Sequence, residues 1–319
     1  MVKVFFTVDV EVWCESWNNL DQQIDEAFQK FIFGSTNKGD YGLPYLLNTL
    51  NDYGLAGVFF VEPLFSLRFN FEYLLRITEL INQANQSIEL HMHTEWVDEI
   101  SNPLLPHVSK KLQHLRYFNL ENQTKLIRLG KSLLNKANVE QINGFRAGNF
   151  GFNIDTLTAL KTNEIFIDSS YNATMMGLDS GLAKDKVLSE PTIFQEVCEL
   201  PMTVYYDRPY HLRHLQLCAS SQTEIEHVLW KALEEEREAV TILAHGSELL
   251  DKSNSRPSKV VVNRFDGLCK FLDKHRDCFD VRDLSGHPHL RSAPYRDPIK
   301  SSIWKSSLRV IENAIDTIN

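Results

Sequence analysis

The chain has 319 residues, 43% of them hydrophobic and 24% charged, with 33 Lys and Arg against 42 Asp and Glu for a formal net charge of −9. This is ordinary globular usage, and it excludes a disordered chain, a collagen-like repeat and a coiled coil. The acidic balance argues against nucleic acid or an anionic membrane surface as the main partner, because both select a basic footprint.

The five cysteines, Cys14, Cys198, Cys218, Cys269 and Cys278, form no CxxC pair and no zinc-knuckle spacing. Reduced thiols in a reducing compartment are therefore expected. The apolar run that follows Lys3 is cut by Asp9 and Glu11 after five or six positions, short of the about 7–15 residues of a secretory core. No window reaches the ~18 apolar residues of a membrane span. A cytoplasmic protein is expected, with its first residues leading straight into a strand.

Taken in chain order, 2–8 is a short apolar run rich in β-branched and aromatic residues, which predicts a strand buried on both faces. A helix is predicted over 43–53, stopped by Gly54, and a second buried strand over 56–61. The pattern then gives a helix over 71–84, a strand over 87–93, a helix over 121–137 and a strand over 141–146. A short helix follows over 155–162, with Asn153 or Asp155 as N-cap, then a strand over 165–169. The stretch 172–195 lacks periodicity and reads as a long loop of the kind that shapes a site. Beyond it come a strand over 199–205, a helix over 223–237, a strand over 240–244, a helix over 259–275 and a last strand over 279–284.

Strands alternating with helices predict a parallel α/β architecture, and seven or eight such units favour a barrel over an open sheet. The expected organisation is a barrel over 1–286 and a C-terminal arm over 287–319, which contains a helix over 302–318 and packs on the barrel or on another subunit.

In a barrel of parallel strands the chemistry sits at the strand C-termini. The first strand ends in Asp9-Val10-Glu11, whose carboxylates are two apart and so point to one side. His91 and His93 have the same spacing. Arg146, Asp168 and His245 each close a later strand. Taken singly, a strand-end carboxylate is usually a cap, an arginine a salt-bridge partner and a histidine a hydrogen-bonded structural residue. Five such accidents in a row are improbable, so the joint pattern points to one site with a divalent ion. His107, His114, His227 and His275 are expected at the surface, His211 and His214 could line a cleft, and His287 and His289 are not expected to be ligands.

These residues resemble the polysaccharide deacetylase family, the NodB-like carbohydrate esterases, as a divergent branch. Thr7-Val8-Asp9-Val10-Glu11 is similar to that family's Thr-Phe-Asp-Asp motif, and Glu89 to His93 to the strand leading into its metal histidines. Phe145-Arg146-Ala147-Gly148 resembles its arginine motif, Asp168-Ser169-Ser170 the next strand end, and Leu243-Ala244-His245 its final Leu-x-His. The motifs run in order from residue 4 to about residue 284.

The resemblance implies a distorted, often seven-stranded (β/α) barrel and metal-dependent removal of an acetyl group, N-acetyl before O-acetyl, from a sugar or glycan intermediate. It implies Asp9 as general base, Arg146 as its orienting partner, His245 as general acid, Asp168 at the next strand end, and Glu11 as the metal carboxylate. The family's histidines are four apart, but the residue four after His93 is Val97, so His91 is expected to supply the second imidazole; otherwise Glu95 or Asp98 would complete the shell. Gly148-Asn149 replaces the family's Pro-Tyr. Zinc is the default for such a donor set, and cobalt, nickel or iron would fit the same ligands. Trp13, Trp96 and Tyr171 are expected to offer sugar-binding faces. Two other readings stay open at this point: hydrolysis of a non-sugar C–N bond of the cyclic ureide type, and a non-catalytic carbohydrate-binding protein with a decayed site.

Overall fold

The structure is a computed structural model that describes residues 1–100, 105, 111–175, 177–183, 186–251, 255–286, 290–301, 309 and 312. The helix predicted over 302–318 falls outside the described residues except at Arg309 and Glu312, and His107, His287 and His289 fall outside them too.

In chain order the principal elements are β1 (Val2–Val10), α1 (Leu20–Phe28), α2 (Leu43–Asp52), β2 (Val58–Val61), α3 (Glu72–Gln83), β3 (Ser87–Met92) and α4 (Leu120–Lys136). They continue with β4 (Gly144–Ala147), α5 (Ile154–Thr162), β5 (Ile167–Asp168), β6 (Thr192–Phe194), β7 (Val197–Glu199), β8 (Val204–Arg208) and β9 (His211–His214). The last are α6 (Gln222–Glu234), β10 (Ala239–His245), α7 (Lys259–Lys274), β11 (Phe279–Val281) and β12 (Ile299–Lys300). The chain forms two compact units, the first from 1–58, 203–283 and 296–319, the second from 59–202 and 284–295.

In the first unit β1 is central. It runs parallel to β10, in register from Lys3 opposite Ala239 to Asp9 opposite His245, and parallel to β11 through Val2 to Val4. Val4, Phe5, Phe6 and Val8 are all buried, as a strand covered on both faces requires. Phe6 packs on Phe265 of α7 with ring centroids 5.3 Å apart. A separate three-stranded sheet has the order β9-β8-β12. The C-terminal segment is tied to this unit by Arg309, which donates to Glu224 and Asp207 at 2.8 Å each, and by Arg264, which donates to Glu312 at 2.7 Å.

In the second unit the order is β2-β3-β4-β5-β7-β6, parallel from β3 to β7, with β6 antiparallel at the edge. The sequence forms its helices through clear end signals. Asn119 caps α4 by accepting from the Asn122 amide at 2.9 Å, and α5 opens on a reciprocal capping box between Asn153 and Thr156.

Three differences from the sequence-based elements have physical causes. The strand predicted over 199–205 is two strands, β7 ending at Glu199 and β8 starting at Val204. Pro201 lies between them and has no N–H to give a ladder. The loop predicted over 172–195 contains a 3-10 turn, Gly177–Asp179, and the edge strand β6. No element is predicted over 12–42, yet α1 forms there and runs into a π-turn, Gln29–Phe33. Its apolar face, Leu20, Ile24, Ala27 and Phe28, has helical spacing, but Asn19 enters it in the left-handed region without a side-chain cap.

Candidate active site

In the first unit, parallel pairing of β1 with β10 brings Asp9 level with His245, and the Gly246 amide donates to the Asp9 carbonyl at 3.2 Å. The side chains of Asp9, Glu11 and His245 converge, each offering a donor atom within 4.8 Å of the others. Asp9 is 3% exposed, while Glu11 and His245 are half-buried. Trp13 donates from Nε1 to Glu11 Oε2 at 2.5 Å, and its ring meets Trp17 edge-on at 6.2 Å. Trp13 thus holds the Glu11 carboxylate while keeping part of its ring exposed.

His245 Nδ1 lies 2.6 Å from Glu248 Oε1. Glu248 is itself fixed, accepting from the Cys218 amide at 3.1 Å and from Gln216. Burial works against a charged ring, but the hydrogen bond and charge of Glu248, reinforced by Glu11 and Asp9, outweigh it and push the His245 pKa up to about 9. With Nδ1 turned to Glu248, Nε2 is the nitrogen left for a reacting group. Glu248 is absent from the sequence reading. Its signal was an acid three residues after a strand-end histidine, in the turn Gly246-Ser247-Glu248.

In the second unit, His91 and His93 are 2% and 4% exposed, and their rings meet edge-on with centroids 4.8 Å apart. His91 is level with Arg146 across β3 and β4, and its Nδ1 lies 2.8 Å from the Arg146 carbonyl. That carbonyl can only accept, so Nδ1 carries the proton and Nε2 is left as a ligating nitrogen. His93 Nδ1 lies 3.3 Å from Glu95 Oε2, and Glu95 Oε1 accepts from Asn149 Nδ2 at 3.0 Å. Glu95 therefore stands behind the His93 ring. Gly148 is required beside that ring, since a Cβ there would lie 2.7 Å from His93 Cγ and Nδ1 and from the Met92 carbonyl. Both imidazoles are thus held by hydrogen bonds of the kind that orient metal ligands, so the donor chemistry fits a divalent ion.

Arg146 is fully buried, donates to the Ser169 carbonyl and hydroxyl at 3.1 Å each, and lies 4.2 Å over the Phe60 ring. Asp168 closes β5, is fully buried and accepts from the Ser170 hydroxyl at 2.5 Å.

Several expectations are corrected. Trp96 is a core residue packed on Phe65 and Phe69, and Tyr171 is a core residue whose hydroxyl accepts from the Leu188 amide at 3.1 Å. Neither ring has an open face for a sugar, because both fall on turns that the hydrophobic core covers. His114, expected at the surface, is buried with Nδ1 unpartnered among the described residues. His275, expected at the surface, is half-buried against Trp230 and Phe271.

No protein-family model matches the sequence, and no curated protein matches it. Solved structures do. A Mycobacterium smegmatis protein assigned to the polysaccharide deacetylases matches over 94% of both chains at 16% identity, with a TM-score of 0.58. A family 4 carbohydrate esterase from Streptomyces lividans, solved with acetate, matches over 92% of this chain and 97% of its own at 11% identity and a TM-score of 0.43. A family 4 pseudoenzyme from Bacillus anthracis matches over 88% of this chain at 10% identity and a TM-score of 0.43; this chain spans 62% of its length. On the Mycobacterium smegmatis likeness, the chain has the fold of the polysaccharide deacetylases, as its sequence motifs predict.

Proposed function

We propose that this protein is a metal-dependent hydrolase that removes an acetyl group, N-linked before O-linked, from a sugar or glycan intermediate. The observation that carries the proposal is the convergence of Asp9, Glu11 and a carboxylate-held His245 at the ends of two parallel strands in register. The deacetylase fold and the oriented His91 and His93 support it.

Glu11, His91 and His93 would hold the ion, zinc by default for this donor set. When bound, such an ion polarises the acyl carbonyl and acidifies water. The remaining work falls to the chain. Asp9, buried and acceptor-only when ionised, takes the proton from the attacking water. Arg146 keeps the role the resemblance gives it, as the orienting partner of Asp9. Backbone N–H groups in the turn after Val10 are suited to the developing oxyanion. His245, held protonated by Glu248, gives its proton to the departing amine, and the Glu248 carboxylate stabilises the imidazolium until then. Trp13 is the aromatic face left for a sugar ring.

The test is acetate release from a panel of N-acetylated amino sugars, O-acetylated sugars and cyclic ureides. Release from the N-acetylated sugars, abolished in Asp9→Asn, is the expected outcome. Turnover of ureides alone would overturn the substrate class.

A further inference from the structure

One buried charged group plays no part in the mechanism above. β5 and β7 are parallel neighbours, with Asp168 level with Glu199. Level residues on adjacent strands project to the same face of a sheet. Both side chains are fully buried, 0% exposed. One oxygen of each is satisfied: Asp168 Oδ1 accepts from the Ser170 hydroxyl at 2.5 Å, and Glu199 Oε1 accepts from the Tyr171 amide at 2.9 Å. The other oxygens, Asp168 Oδ2 and Glu199 Oε2, are buried and meet no donor among the described residues. The two carboxyl groups lie within hydrogen-bonding reach of each other.

Two ionised carboxylates cannot satisfy each other, because both only accept. One proton between them satisfies both orphaned oxygens. The charge balance agrees. The cation facing the pair is Arg146, and the other titratable neighbour is the Tyr171 phenol, kept neutral as burial pushes its pKa up. Two buried negative charges against one guanidinium would leave an uncompensated charge, whereas one against one does not.

We propose that Asp168 and Glu199 hold a single proton between Oδ2 and Oε2 at neutral pH, and that Glu199 thereby acts as a positioning residue for Arg146. The only bond made is O–H; the donor acid stays neutral and the acceptor carries the one negative charge. Burial pushes both carboxyls up, and the Asp168 charge raises Glu199 further. The proton-sharing pair does not depend on the reaction assigned to the site. The position of Glu199 carries a sequence signal, an acid closing a strand as Asp168 closes its neighbour, but only the register makes it legible.

The direct test is infrared spectroscopy of the full chain near pH 7, in water and in deuterated water. The wild type is expected to show a protonated-carboxyl C=O band that shifts on deuteration. Glu199→Gln and Asp168→Asn should each lose it, since an amide N–H then donates to the remaining carboxylate. Absence of the band in the wild type, or its persistence in both variants, would overturn the proposal. Titration gives a second readout on the wild type alone. Both folded-state pKa values are raised, so the pair's contribution to stability is fully present below the unfolded carboxylate range, about pH 4, and declines as pH rises through the raised values. The denaturation midpoint should fall with pH above that range in the wild type and fall less in Glu199→Gln. Equal slopes would count against the shared proton.

Discussion

His245 and Glu248 show how a residue's role is set by its neighbour. An exposed imidazole is mostly neutral at pH 7. Here a carboxylate at 2.6 Å reverses that preference and fixes Nδ1 as the bonded nitrogen. Replacing His245 by Ala should lower kcat by about 10²–10⁴-fold, the usual worth of a positioned general acid, with metal content unchanged. Loss of the metal in that variant would make His245 a ligand instead. Gly148 is the other residue whose identity is dictated by contact. Gly148→Ala should displace the His93 ring, because the added Cβ meets both ring atoms and the Met92 carbonyl. The expected result is about 10–100-fold weaker metal affinity, measured by competition with a chelator, in line with other changes that disturb ligand orientation. Unchanged affinity would mean that His93 does not ligate.

At the scale of elements, stability rests on ends and registers. The capping box at the start of α5 satisfies two orphan amides, so Asn153→Ala should cost about 0.5–2 kcal/mol in a denaturation experiment. The sequence marks Asn153 or Asp155 as the N-cap, and the structure selects Asn153, with Thr156 as its reciprocal partner. The strand-end residues Asp9, Arg146 and His245 were equally visible, because parallel strands end in one direction and the apolar runs mark where they end. Glu199 and Glu248 were not. Pro201 hid the end of β7 within a longer apolar run, and Glu248 lies in a turn whose geometry brings it back over a ring three residues earlier. Trp96 and Tyr171 failed for a related reason. Nearness in sequence to a strand end says nothing of which way a turn buries its aromatic residue, and both rings went inward.

At the scale of the whole molecule, no helix among the described residues is long and apolar enough to cross a membrane. The C-terminal segment is not loosely attached where it is described. Arg309 is buried between Glu224 and Asp207, and together with Arg213 and His211 it holds the Asp207 carboxyl, despite its burial, below the ordinary range. Arg309→Met would take a buried cation away from Glu224 and Asp207, of which Asp207 keeps Arg213 and His211, and should destabilise the fold by about 3–5 kcal/mol in chemical denaturation.

Metal binding and acetyl hydrolysis stand or fall together at this site, so both are to be measured side by side. Metal content and acetate release should be determined on the same preparations of the wild type, Asp9→Asn and His93→Ala. The expected result is about one divalent ion per chain in the wild type, an ion retained but acetate release lost in Asp9→Asn, and both lost in His93→Ala. A wild type that binds no ion, or acetate release that survives in both variants, would contradict it.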